Sequence, residues 1–221
     1  MQVSHAIRER RSARAFLAET VDAETVGQIL DLAKWAPSWA NSQGWNVYVL
    51  SGEPLARLKV AIAEKVAAED PSTPDIPSPK DWPDYLAGRM VFRRPPAEAP
   101  GAIDGAVASA SVWEFYRAPY LILLAVDANV EQTYACFDAG LFAQTLCLAA
   151  EDRGFATCVM ATAVRYGDLL HAEIPEAEGK LFVVGIAFGL IDHTAVVNRS
   201  ERNRVELDEI ATFIDGSGAE E

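Results

Sequence analysis

Histidine and cysteine are scarce in this 221-residue chain, with three of each. His5, His171 and His193 lie in separate segments, with no H-E-x-x-H helix or G-x-S-x-G turn around them. Cys136, Cys147 and Cys158 form no C-x-x-C pair and have no histidine at ligand spacing. An odd count in that pattern argues against a disulfide framework and a zinc site, so no metal site is assigned. Positive charge is also in short supply: 19 Lys+Arg stand against 32 Asp+Glu, a formal net charge of -13. A nucleic-acid partner needs a basic face to neutralise phosphates, so none is expected. The longest apolar run, Phe182 to Ile191, falls short of the roughly 20 residues that span a bilayer. The N-terminal M-Q-V-S-H-A-I-R-E-R carries no apolar leader core, and a cytoplasmic protein with no membrane partner is expected. G-x-G-x-x-G after a strand and the Walker A loop are missing too.

Half of the residues are hydrophobic, enough for a sizeable core in one domain over 1–221. Residues 4–11 read as a short helix that delivers arginines at its end. Asp22 is an N-cap candidate, and Val26, Ile29, Leu30 and Ala33 keep helical spacing up to about Trp35. Pro37 to Gly44 is loop chemistry, Trp45 to Leu50 a strand, and about 54–69 a helix. The stretch 70–101 holds most of the 12 prolines and reads as a surface excursion, either a lid or a structural insertion. It also carries Trp82, Tyr85, Phe92, Arg93 and Arg94. Ala118 to Asp127 is a buried strand. Tyr134 to Asp152 is a helix apolar on most of its circumference, which predicts burial on all sides at the centre of a dimer. Cys136 and Cys147 share one face of it, about three turns apart, as core thiols. Residues 155–160 and 180–189 read as strands, and 164–171 and 208–214 as short helices. The alternation predicts a layered α/β sheet.

Against this acidic background the arginines are concentrated. Arg8, Arg10, Arg11 and Arg14 crowd R-E-R-R-S-A-R, and Arg199, Arg202 and Arg204 crowd N-R-S-E-R-N-R. Seven of the 19 basic residues thus fall into two short end segments. The guanidinium fork matches phosphate oxygens two at a time, and Ser12 adds a hydroxyl donor. The two clusters together predict a bound phosphate.

Four segments in order carry a resemblance: R-R-S-A-R-A-F, P-S-W-A-N-S-Q-G-W-N-V-Y-V-L-S-G, D-A-G-L-F-A-Q-T-L-C-L-A-A-E-D-R-G-F-A-T-C, and G-I-A-F-G-L-I-D with N-R-S-E-R-N-R-V-E-L-D-E. Together they resemble the nitroreductase family of flavoenzymes, outside an insertion at about 70–117 that is similar to the nitrobenzoate-reductase-like branch. The resemblance implies a three-layer α-β-α fold of the α+β class, with a mixed, mainly antiparallel sheet in an intertwined homodimer. It implies FMN as cofactor and NAD(P)H as co-substrate. Arg10, Arg11, Ser12 and Arg14 would hold the phosphate, ribityl chain and pyrimidine edge, with Arg202 and Arg204 completing the phosphate pocket. Pro37, Ser38, Trp39 and Asn41 would reach the flavin of the opposite subunit. The backbone of Val159, Met160 and Ala161 would lie along the isoalloxazine, where a main-chain N–H can bond N5.

The chain departs from the family pattern at Gly44, where proline is common, at Trp39, where a small residue is common, and at Ala161 and Thr162 after the N5 contact. The implied activity is hydride transfer from NAD(P)H through flavin to a nitroaromatic, quinone or enone by ping-pong exchange. No obligatory side-chain acid or base is assigned; Tyr48 and Tyr85 are candidate proton donors by composition. Two alternatives stay open: a specialised flavoenzyme of the same fold (dehydrogenation, dehalogenation or flavin breakdown) and a non-catalytic flavin-binding or phosphate-sensing protein.

Overall fold

A computed structural model describes residues 2–90, 111–200 and 202–214. Its centre is a four-stranded sheet of β1 (Trp45–Ser51), β2 (Tyr120–Asp127), β3 (Ala156–Met160) and β4 (Lys180–Gly189), in the order β1-β2-β4-β3. Every neighbouring pair is antiparallel. Helices accompany it, among them α1 (Val3–Glu9), α2 (Ala23–Ala33), α3 (Gly52–Ala67), α4 (Asp84–Arg89), α5 (Gln132–Asp152) and α6 (Gly167–Glu173).

Side-chain alternation divides the core into two layers. Leu121, Leu123 and Ala125 of β2 pack with Leu55, Leu58 and Ile62 of α3 and Leu170 of α6. Ile122 and Leu124 point the other way, into Val26, Ile29 and Ala33 of α2 and Phe142 and Leu146 of α5. Period-2 alternation on a strand covered on both faces explains why β2 is a continuous apolar run. Each fully buried Leu or Ile here contributes about 1.5–3 kcal/mol. The result is helix, sheet and helix in three layers, an α+β fold.

Local signals account for most boundaries. Asp22 caps α2 by accepting from the Thr25 amide at 2.7 Å. Glu131 caps α5 by accepting from the Thr133 and Tyr134 amides. Gly154 closes the end of α5 at φ +80°, a conformation that favours glycine. Gly185 allows a close approach: a Cβ there would lie 2.5 Å from the Ala163 Cβ. The turn 161–164 can therefore fold against β4 only because residue 185 has no side chain.

Several expectations need correction. The alternation of elements reads as a layered α/β sheet; the four strands instead pair antiparallel, which makes the fold α+β with a mainly antiparallel sheet, as the resemblance implies. The helix expected from 54 starts at Gly52, and the one expected over 164–171 divides into a tight turn at Ala161–Val164 and α6. The tail helix is absent: Leu207–Glu209 makes one short turn, and Ile210, Phe213 and Ile214 are exposed with no apolar surface to order them. Helix α5 is not buried all round within one chain, since Tyr134 and Phe137 are more than half exposed.

The described start of the proline-rich stretch is anchored rather than loose. Asp75 accepts from the Phe182 amide at 2.8 Å and pairs with His171 Nε2 at 3.0 Å. Thr73 bridges to Tyr166. Phe92, Arg93 and Arg94 lie outside the described residues.

Candidate functional site

The two arginine-rich ends meet. Residues 12–17 run along the sheet: the Ala13 amide donates to the Thr157 carbonyl and the Leu17 amide to the Leu190 carbonyl, both at 2.9 Å. Asn198 joins this segment to the C-terminal one and is almost fully buried. Its Oδ1 accepts from the Arg14 amide at 2.7 Å, and its Nδ2 donates to the Ala15 and Asp192 carbonyls at 2.8 Å each. Arg11 donates to the Asn198 carbonyl. Arg202 Nη1 donates to the carbonyls of Glu9 at 3.0 Å and Arg10 at 2.8 Å, and also reaches that of Arg8. A guanidinium on the last carbonyls of α1 is favourable with respect to the helix dipole.

Like charges are therefore held close. Burial lowers the proton affinity of Arg202, and Arg11, Arg10 and Arg204 lower it further. Glu151, at the end of α5, has its pKa raised by burial and by Glu9, while Arg10, Arg11 and Arg202 oppose the shift. A concentration of guanidinium groups of this kind can hold an anion.

Beside this cradle lies the outer edge of β3. The Thr157 carbonyl faces outward to Ala13, so the antiparallel alternation turns Cys158 toward β4 and the backbone polar groups of Val159 outward again. Val159 and Ala161 are exposed and Met160 is buried. Cys158 sits beneath Ser12 and Arg14. Burial pushes its thiol up to about 11, although Arg14 and the Ser12 hydroxyl act the other way. Cys158 is thus a neutral core thiol, as is Cys147, whose pKa burial also raises.

The Pro37–Gly44 loop is built differently. Ala40, Asn41 and Gln43 all have positive φ, at 47°, 61° and 50°. Only asparagine among these tolerates that region readily, so the loop needs anchors. The Ser38 hydroxyl accepts from the Gln43 amide at 2.9 Å, and the Asp138 carboxylate accepts from the Trp39 amide at 3.1 and 3.0 Å. The Trp39 indole rests against Tyr134, ring centroids 4.6 Å apart. Trp39, Gly44, Val130, Tyr134 and Asp138 help line a recess of about 430 Å³.

The structure does not bring the loop to the arginines within one chain. Asp138 marks the loop on α5 and Glu151 marks the arginine cluster. At about 1.5 Å rise per residue they lie roughly 20 Å apart along the helix.

Three residues of this region were not anticipated. Asn198 gave no signal beyond its place among arginines. Tyr134 read as one more apolar residue. Asp138 did leave a trace, as the lone charged residue between Gln132 and Ala150. Among the proton-donor candidates, Tyr48 donates to the Glu176 carbonyl at 3.2 Å, and Tyr85 lies exposed beside Arg89 on α4. Among the described residues no group of three or more His, Cys, Asp or Glu side chains could hold a metal ion. No helix among them is long and apolar enough to cross a membrane.

Residues 7–189 match the model of the Nitroreductase family. The chain is 31% identical to the chloronitrobenzene nitroreductase of Comamonas testosteroni over 218 residues, covering 94% of this chain and 95% of that one. It is 30% identical to the 4-nitrobenzoate reductase of Pseudomonas putida, covering 87% and 86%. The crystal structure of an FMN-dependent nitroreductase from Mycobacterium smegmatis in complex with NADPH superposes with a TM-score of 0.83 at 31% identity, covering 96% of this chain and 97% of that one.

Proposed function

From a chain that belongs to the nitroreductase family, we infer an FMN-dependent NAD(P)H oxidoreductase that reduces nitroaromatic acceptors. The observation that carries this reading is the meeting of the two arginine clusters beside an exposed strand edge. The donor set fits FMN. Arg10, Arg11, Arg202 and Arg204 supply charge for a phosphate, and the Ser12 hydroxyl adds a neutral donor. Arg14, its amide fixed by Asn198, stands at the cradle's sheet side, where it can hold negative charge at the pyrimidine edge. The outward backbone of Val159 and the exposed turn beginning at Ala161 offer main-chain donors along a flat ring, with Met160 buried between them. Bound there, FMN supplies the two-electron chemistry that links NAD(P)H to the acceptor.

The remaining work falls to positioning. No side-chain acid or base is assigned to the chain, and the proton can come from water or from the flavin. The exposed rings of Trp39 and Tyr134 offer a wall against which a planar acceptor can stack while water is excluded.

The active unit is a homodimer. Phe137, Gly140 and Gln144 are exposed along one face of α5, and Leu141 and Leu148 on it are partly exposed. Two copies of α5 packed antiparallel, crossing near Gln144, would bury this face. They would also carry Pro37, Ser38, Trp39 and Asn41 of one copy to the arginine cluster of the other, closing the roughly 20 Å gap along the helix. Location in the cytoplasm fits the three unpaired thiols.

An absorbance spectrum of protein reconstituted with FMN tests the function. NADPH or NADH added without oxygen should bleach the flavin bands, and a nitroaromatic should restore them. Protein that takes up no FMN would sink the cofactor assignment; flavin that does not bleach would sink the oxidoreductase.

A further inference from the structure

Asp138 is a carboxylate 4% exposed in an otherwise apolar stretch of α5. Burying it is costly unless its oxygens are used. Both are spent on the loop: each accepts from the Trp39 amide, and the Ser42 hydroxyl approaches one of them at 3.4 Å. Four residues earlier on the same helix face stands Tyr134, the ring that Trp39 packs against. One face of α5 therefore holds the Trp39 backbone with a charge and its side chain with an aromatic ring. Between them these contacts fix a loop whose residues 40, 41 and 43 are all left-handed. Without the carboxylate the strained backbone has a reason to relax, and the indole moves with it.

We propose that Asp138 is the positioning residue for acceptor selection, setting the Trp39 indole as the wall of the recess so that planar aromatic acceptors are preferred over small non-aromatic oxidants. This rests on the function inferred above. Within one chain Asp138 lies roughly 20 Å along α5 from the arginine cluster, so its substitution acts on the loop and not directly on the groups that would hold the FMN phosphate.

The test compares wild type with Asp138→Ala, Asp138→Asn and Trp39→Phe, as full chains with and without FMN. In FMN-free protein, the emission attributable to Trp39 is the difference between spectra with and without Trp39→Phe. That difference should shift to longer wavelength in the Asp138→Ala background, as the indole leaves Tyr134 for water. In holoenzyme, KM for 4-nitrobenzoate should rise about tenfold in Asp138→Ala, the scale of one lost charge-assisted hydrogen bond. The rise should be smaller in Asp138→Asn, which keeps one oxygen for the Trp39 amide. KM for ferricyanide, a small inorganic oxidant, should hold. Equal losses for both oxidants, or none for either, overturn the proposal. If Asp138→Ala fails to fold, Asp138→Asn decides by the same split. Wild-type holoenzyme that reduces neither oxidant overturns the function itself, and the emission difference then still decides whether Asp138 holds Trp39.

Discussion

The Arg202 guanidinium donates to the carbonyl of Arg10 at 2.8 Å, across a sequence separation of 192 residues. The two arginine-rich segments are thus tied together through the protein's own backbone carbonyls. Arg204 is set up differently: its Nη1 reaches the carbonyl of its neighbour Asn203 at 2.7 Å, a local contact that ties no distant segments. The two arginines should separate a bracing role from a binding role.

Arg204→Ala should weaken FMN binding by about 1.5–3 kcal/mol, the cost of one hydrogen bond to a charged group, and leave the melting temperature of FMN-free protein in place. Arg202→Ala should lower both, since it also strips the last carbonyls of α1 of their donor. Titration of FMN by fluorescence quenching, beside thermal melts of the FMN-free variants, checks this. Matching behaviour of the two variants would refute the distinction.

Asn198→Ala should destabilise the protein by about 2–3 kcal/mol. It leaves the partly buried Arg14 amide and the Ala15 and Asp192 carbonyls without the side chain that joined them. Asn198→Asp should rescue little, because a carboxylate cannot donate to the two carbonyls. Urea denaturation of the three proteins is the measurement, and a stable Asn198→Asp variant would count against the argument.

How far the sequence carries can be judged residue by residue. Asp22 announced its helix because an N-cap is a local interaction, written within three residues. Strand β2 was legible because burial on both faces leaves an unbroken apolar run. The two arginine clusters were legible as a pair because they stand out from an acidic chain. Asp138 and Asn198 were not, since a single buried polar residue acquires its meaning from a partner 99 or 184 positions away. Alternation of helix and strand alone does not say which way each strand returns; the antiparallel sheet was legible only through the family resemblance. Residues 208–214 have helical composition but no apolar partner surface within one chain, and packing decides whether short helices form.

Stability should fall as pH rises from about 9 toward 11. Burial holds the Cys158 thiol neutral in the folded state up to about 11, whereas an unfolded chain loses that proton from about 9. The unfolded state binds fewer protons across this window, so alkalinity favours it; below the window the thiol contributes fully. The slope of denaturation free energy against pH should flatten in Cys158→Ala, whatever the variant's absolute stability. An unchanged slope would assign the alkaline loss to other groups.

Gly185→Ala should cost about 1–3 kcal/mol by overpacking. The new methyl would meet the Ala163 Cβ at 2.5 Å and the Leu121 and Leu123 side chains at 3.2 and 3.3 Å. Ala163 belongs to the turn directly after β3, so relief must come from moving Ala161–Val164. A shift in the visible spectrum of bound FMN should therefore accompany the loss of melting temperature. A destabilised variant with an unaltered flavin spectrum would separate this turn from the cofactor.

Phe137→Glu should dissociate the dimer and weaken FMN binding together. Phe137 is 62% exposed in the single chain, on the face of α5 that also carries the partly exposed Leu141 and Leu148. A carboxylate there costs the isolated chain little, because it faces water. In the proposed dimer each copy of it would be buried in the contact between the two α5 helices without a partner, which is severely unfavourable. Because the Pro37–Gly44 loop and the arginine cluster lie roughly 20 Å apart along α5, a monomer cannot close both around one cofactor. Sedimentation velocity reports the assembly and a desalting column reports retained FMN. Loss of the dimer with full flavin retention would mean that each chain binds its cofactor alone, and the loop would then have no part in holding it.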